Sequence, residues 1–298
     1  MRFGLFVPQG WRHDLVGIEP AEQWGVMKGL AQHADGGPWE SIWVYDHFHT
    51  VPAPTDQATH EAWSLMAAFG AVTERVRLGQ MCTCMSYRNP AYLAKVAATC
   101  DVVSGGRVEM GIGAGWYEHE WRAYGYGFPP PPERLGMLDE GVQIMRQAWT
   151  EGVATFSGKH YQVDGARVFP LPLQEGGIPL WIAGGGEKVT LKIAAKYARY
   201  TNFDGTLDGF TRKSELLREH CRDVGTDFDR SSAPPTTTWR SAGTRPRCRS
   251  VCRPRRPASC PSSARRRRRG RSGRCAGCPR AAHRSRSSRT FARWRRRA

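Results

Sequence analysis

Along the first 230 residues, short unbroken apolar runs alternate with longer stretches whose apolar positions recur every three to four residues. Residues 3–7 form the first run, which stops at Pro8-Gln9-Gly10. The spacing of Trp24, Met27, Leu30, Ala31 and Ala34 predicts a helix over 21–34. A second run covers 41–45, and a helical pattern over 60–72 leads to a third run over 76–84. Asn89-Pro90 opens the next helix, with proline in the first turn where its missing N–H costs nothing, and the pattern continues to 103. A strand over 108–112 ends in glycines, and a proline-rich segment over 128–132 precedes a helix over 133–150. Residues 158–167 read as a hairpin. A strand over 180–183, a helix over 187–197, a weak strand near 200–203 and a helix over 209–224 complete the series.

Strands without polar alternation are buried on both faces, and helices between them imply right-handed parallel β/α units. Six such units can be counted. An open doubly wound sheet fits that number, but it gathers its chemistry at one switch point. Here chemistry-bearing residues follow at least four strands, as they do in the loops around a barrel mouth. The expected fold class is therefore α/β, a (β/α)8-type barrel truncated after about six units.

Four clusters could carry chemistry. Asp46-His47-Phe48-His49 ends the second strand, where barrel active sites are built, and an imidazole can move protons near neutral pH. A metal site is the rival reading of His47 and His49, but the later strand ends offer Thr83, glycines and Asn202 rather than further ligands, so no metal is expected. Cys82-Thr83-Cys84 puts two thiols on one side and the Thr83 hydroxyl on the other, with the hydroxyl expected at the mouth. Gly113, Ala114 and Gly115 follow a strand without opening a helix at once; they suit close approach to a flat ligand rather than a dinucleotide fingerprint. Gly184, Gly185 and Gly186 directly precede a helix and suit an anion held by free N–H groups. Glu118 and Glu120 read as solvated loop charges, and Lys188, Lys192 and Lys196 as one exposed helix face.

Composition divides the chain in two. Residues 1–230 carry 22 Lys and Arg against all 27 acids, a balance of −5; residues 231–298 carry 22 Arg and no acid. The net +17 is thus a property of the last 68 residues. These also lack Lys, Asn, Gln, Leu, Ile, Met and Tyr. With so little to bury, that segment is expected to be a disordered basic tail. Arg-rich segments bind phosphate backbones without sequence preference, so non-specific nucleic-acid binding is the alternative of another class. The body has no signal-peptide pattern, no run long enough to span a membrane, and four cysteines without framework spacing, so a cytoplasmic setting is expected.

Taken together, the segments WVYDHFH, SYRNPA, GGRVEMGIGAGW and IAGGGE resemble the luciferase-like monooxygenase superfamily, most closely its branch using the deazaflavin coenzyme F420. The likeness covers residues 1–229. It implies a TIM barrel with the cofactor ring at the mouth beside Asp46, His47 and Thr83, bordered by Gly113, Ala114 and Gly115. Gly184, Gly185 and Gly186 would hold its phosphate, and a cis non-prolyl bond would lie around Gln80–Met81. His47 matches the proposed acid/base residue, with Asp46 beside it. The reaction implied is hydride transfer between the deazaflavin and a small organic substrate, with FMN-dependent monooxygenation as the alternative; a homodimer is compatible with the pattern.

The family continues into two further β/α units where this chain turns to arginine. All tail residues except Val251, His283 and Phe291 have codons with C or G in the middle. No folding pressure selects on that base, whereas a one-base shift of a GC-rich gene moves its third positions there. Permitted codons for residues 230–239, read one base out of register, spell Ile-Val-Arg-Ser-Ala-Asn-Tyr-Asn-Val, which resembles the family's seventh strand. The tail is expected to be out-of-frame translation.

Overall fold

The computed structural model describes residues 3–203 and 205–231. Expectations for the tail lie outside these residues, apart from Ser231, which ends the last short helix. The chain runs β1 (Gly4–Phe6), α1 (Pro20–Gly36), β2 (Ser41–Val44), α2 (Ala62–Val72), β3 (Arg77–Gln80), β4 (Thr83–Cys84) and, after a 3₁₀ turn, α3 (Pro90–Ser104). It continues through β5 (Val108–Gly113), α4 (Glu118–Ala123), α5 (Pro131–Glu151), β6 (Val153–Ser157), β7 (Gln162–Arg167) and β8 (Leu180–Ala183). Then come α6 (Thr190–Tyr197), β9 (Tyr200–Asn202), α7 (Leu207–Val224) and α8 (Phe228–Ser231).

The strands pair in parallel in the order β1-β2-β3-β5-β8-β9, with β4 also on β5. The order never reverses. A doubly wound sheet must reverse at its switch point, so this curled sheet is of the barrel kind. Among the described residues β1 and β9 are its two edges. The hairpin β6–β7 stands apart as a second, antiparallel sheet.

Local chemistry sets the helix ends. Asn89 accepts from the N–H groups of Ala91 and Tyr92 at the start of α3, Pro90 fills its first turn, and Gly105 closes it at φ +70°. Glu61 caps α2 by accepting from Trp63 and Ser64. The alternation of β2 then separates two layers. Ile42 and Val44 join Leu78, Met110 and Ile182 in the apolar core beneath the helices. Ser41 and Trp43 face the lumen, where the Trp43 indole lies across Gly79 and meets Trp181 of β8 edge-on at 5.2 Å. A β-carbon at Gly79 would collide with that ring.

Several details depart from expectation. The third run is not one strand: a cis peptide at Met81–Cys82, one bond later than the resemblance implied, divides β3 from β4. The hairpin begins at Val153, earlier than residue 158. Helices α4 and α8 were not predicted.

Candidate active site

The site is built where β1, β2, β4, β5 and β8 end. Gln9, after β1, is buried and braces the chain after β2: its Nε2 donates to the carbonyls of Tyr45 and His60, and its Oε1 accepts from the Tyr45 N–H at 2.8 Å. The same alternation that sorts β2 continues past Val44. Tyr45 and His47 lie with the β1 loop, Tyr45 stacked on Phe6 at 4.5 Å and His47 stacked on Trp11 at 4.3 Å with their planes 1° apart.

Asp46 goes the other way. It is buried, and Arg88 donates to both its oxygens, at 2.8 and 3.0 Å, while the Cys84 N–H donates to Oδ2. Arg88 also donates to Glu61, the α2 cap. The correction here is geometric: the Asp46 carboxylate does not face the mouth with His47 but ties the end of β2 to the start of β4 and to α2.

His47 is closed on three sides. Trp11 covers one face, Trp116 and Tyr117 approach edge-on at 5.7 and 5.9 Å, and Nδ1 lies 2.8 Å from Oε2 of Glu120. The other ring nitrogen, Nε2, has no partner among the described residues. Glu120 is a second correction, since it is not a solvated loop charge but fully buried on α4. It also accepts from the Phe48 and His49 N–H groups and the Tyr87 hydroxyl. Burial raises its pKa, but the bond and charge of His47 and the two N–H donors outweigh this and hold it below the usual carboxylate range. His49 turns to the rim instead, its Nδ1 3.0 Å from that of His119.

Thr83 is the third correction. It is wholly buried and donates to Gln80 Oε1 at 2.7 Å, so its hydroxyl does not reach the mouth surface. The thiols lie on the opposite side, as alternation predicted. Cys82 sits against Gly113 and Cys84 against Gly115, whose φ of +77° and contact with Trp121 leave no room for a side chain. Much of the glycine content of 111–115 is thus explained by close packing; Gly111 itself lies against the Gln80 carbonyl. Burial pushes the Cys82 thiol up to about 12, with the Asp46 charge adding to it, so it stays protonated.

Because β5 pairs with β8, the loop holding Gly113, Ala114 and Gly115 adjoins the one holding Gly184, Gly185 and Gly186. Gly184 adopts φ +114° and donates its N–H to the Asn202 carbonyl; α6 starts at Thr190 rather than directly after Gly186, without a side-chain cap, and its Leu191 N–H is taken by the Gly186 carbonyl. The Lys213 ammonium, from α7, closes over Gly185 and has no carboxylate partner among the described residues. Lys213 was not anticipated.

The luciferase-like monooxygenase family model matches residues 1–241. The chain belongs to that family. Among its luciferase-like relatives, an F420-dependent glucose-6-phosphate dehydrogenase of Nocardia farcinica is 36% identical over 203 residues, 64% of this chain and 54% of that protein. One from Intrasporangium calvum is 35% identical over 216 residues, 70% of this chain and 59% of its own length. The chain spans about half the length of the curated relatives it matches. A solved F420-dependent secondary alcohol dehydrogenase, in complex with an F420-acetone adduct, superposes with a TM-score of 0.65 at 26% identity, over 77% of this chain and 66% of that one. A tetrahydromethanopterin reductase of Methanopyrus kandleri shares the fold, with a TM-score of 0.63 at 21% identity over 77% of this chain and 63% of that one.

A cavity of about 200 Å³ lies at the opposite end of the sheet, lined by strand-start residues including Ser41, Arg77, Glu109 and Arg199. Barrel chemistry is built at the C-terminal strand ends, so we assign this cavity to the lumen floor, not to the site. Among the described residues no group of three or more His, Cys, Asp or Glu could hold a metal, and no helix is long and apolar enough to cross a membrane.

Proposed function

We propose that this chain is a coenzyme F420-dependent oxidoreductase acting on a small alcohol–carbonyl pair. The observation that carries the reading is the pairing of His47, with Nε2 unpartnered among the described residues, and the Gly184–Gly186 loop with Lys213 over it, three strand ends away. The residues fit a flat, phosphate-bearing cofactor. Gly184, Gly185, Gly186 and Lys213 would hold the phosphate, while Gly113, Ala114 and Gly115 would border the ring. When bound, the deazaflavin supplies a carbon that accepts or returns a hydride. His47 Nε2 would take the hydroxyl proton as the alcohol carbon gives up its hydride, leaving a carbonyl, and would return it in the reverse direction. Trp11 and Trp116 would shield that proton from bulk water. The relatives' names support the cofactor and the alcohol chemistry.

Titration of the full chain with F420 and with FMN tests this. F420 should bind more tightly, and Gly185→Val should weaken it by displacing Lys213 from the cradle, with the thermal unfolding transition retained. Tighter FMN binding would turn the assignment toward flavin monooxygenation.

The second part of the proposal concerns residues 231–298, which we read as out-of-frame translation of the family's last two units. Their codon-middle bias and their want of Lys and of nearly every aliphatic support it. Resequencing the gene around codon 230 should find one base gained or lost ahead of a frame encoding two β/α units. An unrelated downstream frame would make the arginine tail a genuine feature of the protein.

A further inference from the structure

The geometry points to Glu120 as the positioning residue of this site: across 73 residues of chain it fixes which nitrogen of His47 carries the proton and where the other one aims. This rests on the reading of His47 as the acid/base group. The carboxylate is wholly buried. Its Oε2 takes His47 Nδ1 at 2.8 Å and the Tyr87 hydroxyl at 3.1 Å. Its Oε1 takes the N–H groups of Phe48 and His49 at 2.7 and 2.8 Å. Four donors use the roughly four lone-pair directions a carboxylate has.

An ionised carboxylate only accepts, so Nδ1 must donate to it. The neutral imidazole is then left with its lone pair on Nε2. Trp11 fixes the plane of the ring by stacking, and Glu120 fixes the rotation within that plane. A carboxylate holding an imidazole in one tautomer from behind is a recurring arrangement for a proton-transferring histidine.

The competing role is a staple: Glu120 could serve only to hold the 47–49 loop against α4. The two oxygens separate the roles, because Oε1 does the stapling and Oε2 meets the ring. Glu120→Gln keeps a carbonyl oxygen for the two backbone donors but turns an amide NH2 toward Nδ1. If Glu120 sets the tautomer, the glutamine should reverse it.

The test is long-range 1H–15N correlation on the full chain with 15N-labelled histidine, at a pH where the ring is neutral, the His47 signals being assigned by their loss in His47→Ala. The wild type should show a protonated Nδ1 and a bare Nε2. Glu120→Gln should show the reverse, and Glu120→Asp should restore the wild-type pattern. F420-linked turnover of Glu120→Gln should fall about 10²-fold or more, with KM little changed. A wild-type ring protonated on Nε2, or a glutamine variant with the wild-type pattern, overturns the proposal. Should the glutamine variant not fold, the wild-type and Glu120→Asp tautomers decide it, since a ring protonated on Nε2 in either one rejects it. A reversed tautomer in a protein that binds no F420 would sink the proposed function and leave this assignment standing.

Discussion

Replacing Arg88 by methionine should lower the unfolding free energy by about 3–5 kcal/mol, the usual cost of removing one partner from a buried ion pair. The Asp46 side chain is 0% exposed and that of Arg88 13%, so water cannot readily replace the lost guanidinium. Methionine fills much of the arginine stem but leaves Asp46 with the Cys84 N–H alone. Glu61 loses a partner as well, yet it is 41% exposed and keeps its two helix-cap donors, so it adds little. Urea denaturation followed by circular dichroism measures the loss. The double variant Asp46→Leu, Arg88→Met should regain much of it, because an apolar pair leaves no uncompensated charge. A single-variant loss below about 1 kcal/mol would mean that the pair behaves like a surface one.

His47→Ala should cut F420-linked turnover by about 10²–10⁴-fold, the range over which a positioned acid/base group contributes. F420 affinity should change little, since the proposed cradle lies three strand ends away. His49→Ala should have a much smaller effect, because its ring turns to His119 on the rim rather than to the packed cluster at His47. Steady-state rates and a fluorescence titration of each variant separate the two effects. Unchanged turnover in His47→Ala would return this histidine to a packing role against Trp11.

Much of the fold could be read from the pattern because doubly buried strands are written as apolar runs. The boundaries moved where tertiary contacts decide them, as at the hairpin, whose first strand continues directly from Gly152 at the end of α5. Asp46 shows where adjacency in sequence misleads. Asp46 and His47 are neighbours in the chain, but residues one apart on a strand face opposite sides. Counting from the apolar Ile42 and Val44 would have sent Asp46 into the helix layer. Glu120 is harder to place, because beside the exposed Glu118 it looks like a loop charge and its partners lie 33 to 73 residues earlier. One signal was present: Tyr117, Glu120, Trp121 and Tyr124 share a helix face at three- and four-residue spacing. Arg88 and Lys213 gave no comparable signal, as each is one cation whose target is set by the packing of distant elements.

The unreversed strand order has a consequence for how the protein is made. A ribosome extends a chain by about 5–20 residues each second, so N-terminal segments emerge first. In this sheet the principal strands each dock beside a neighbour synthesised before them: β2 on β1, β3 on β2, β5 on β3, β8 on β5 and β9 on β8. No strand along that path must wait for a later one to be inserted on its inner side. The sheet can therefore grow from one margin only, in the direction of translation, with β1 as its fixed edge and the newest strand as its growing one.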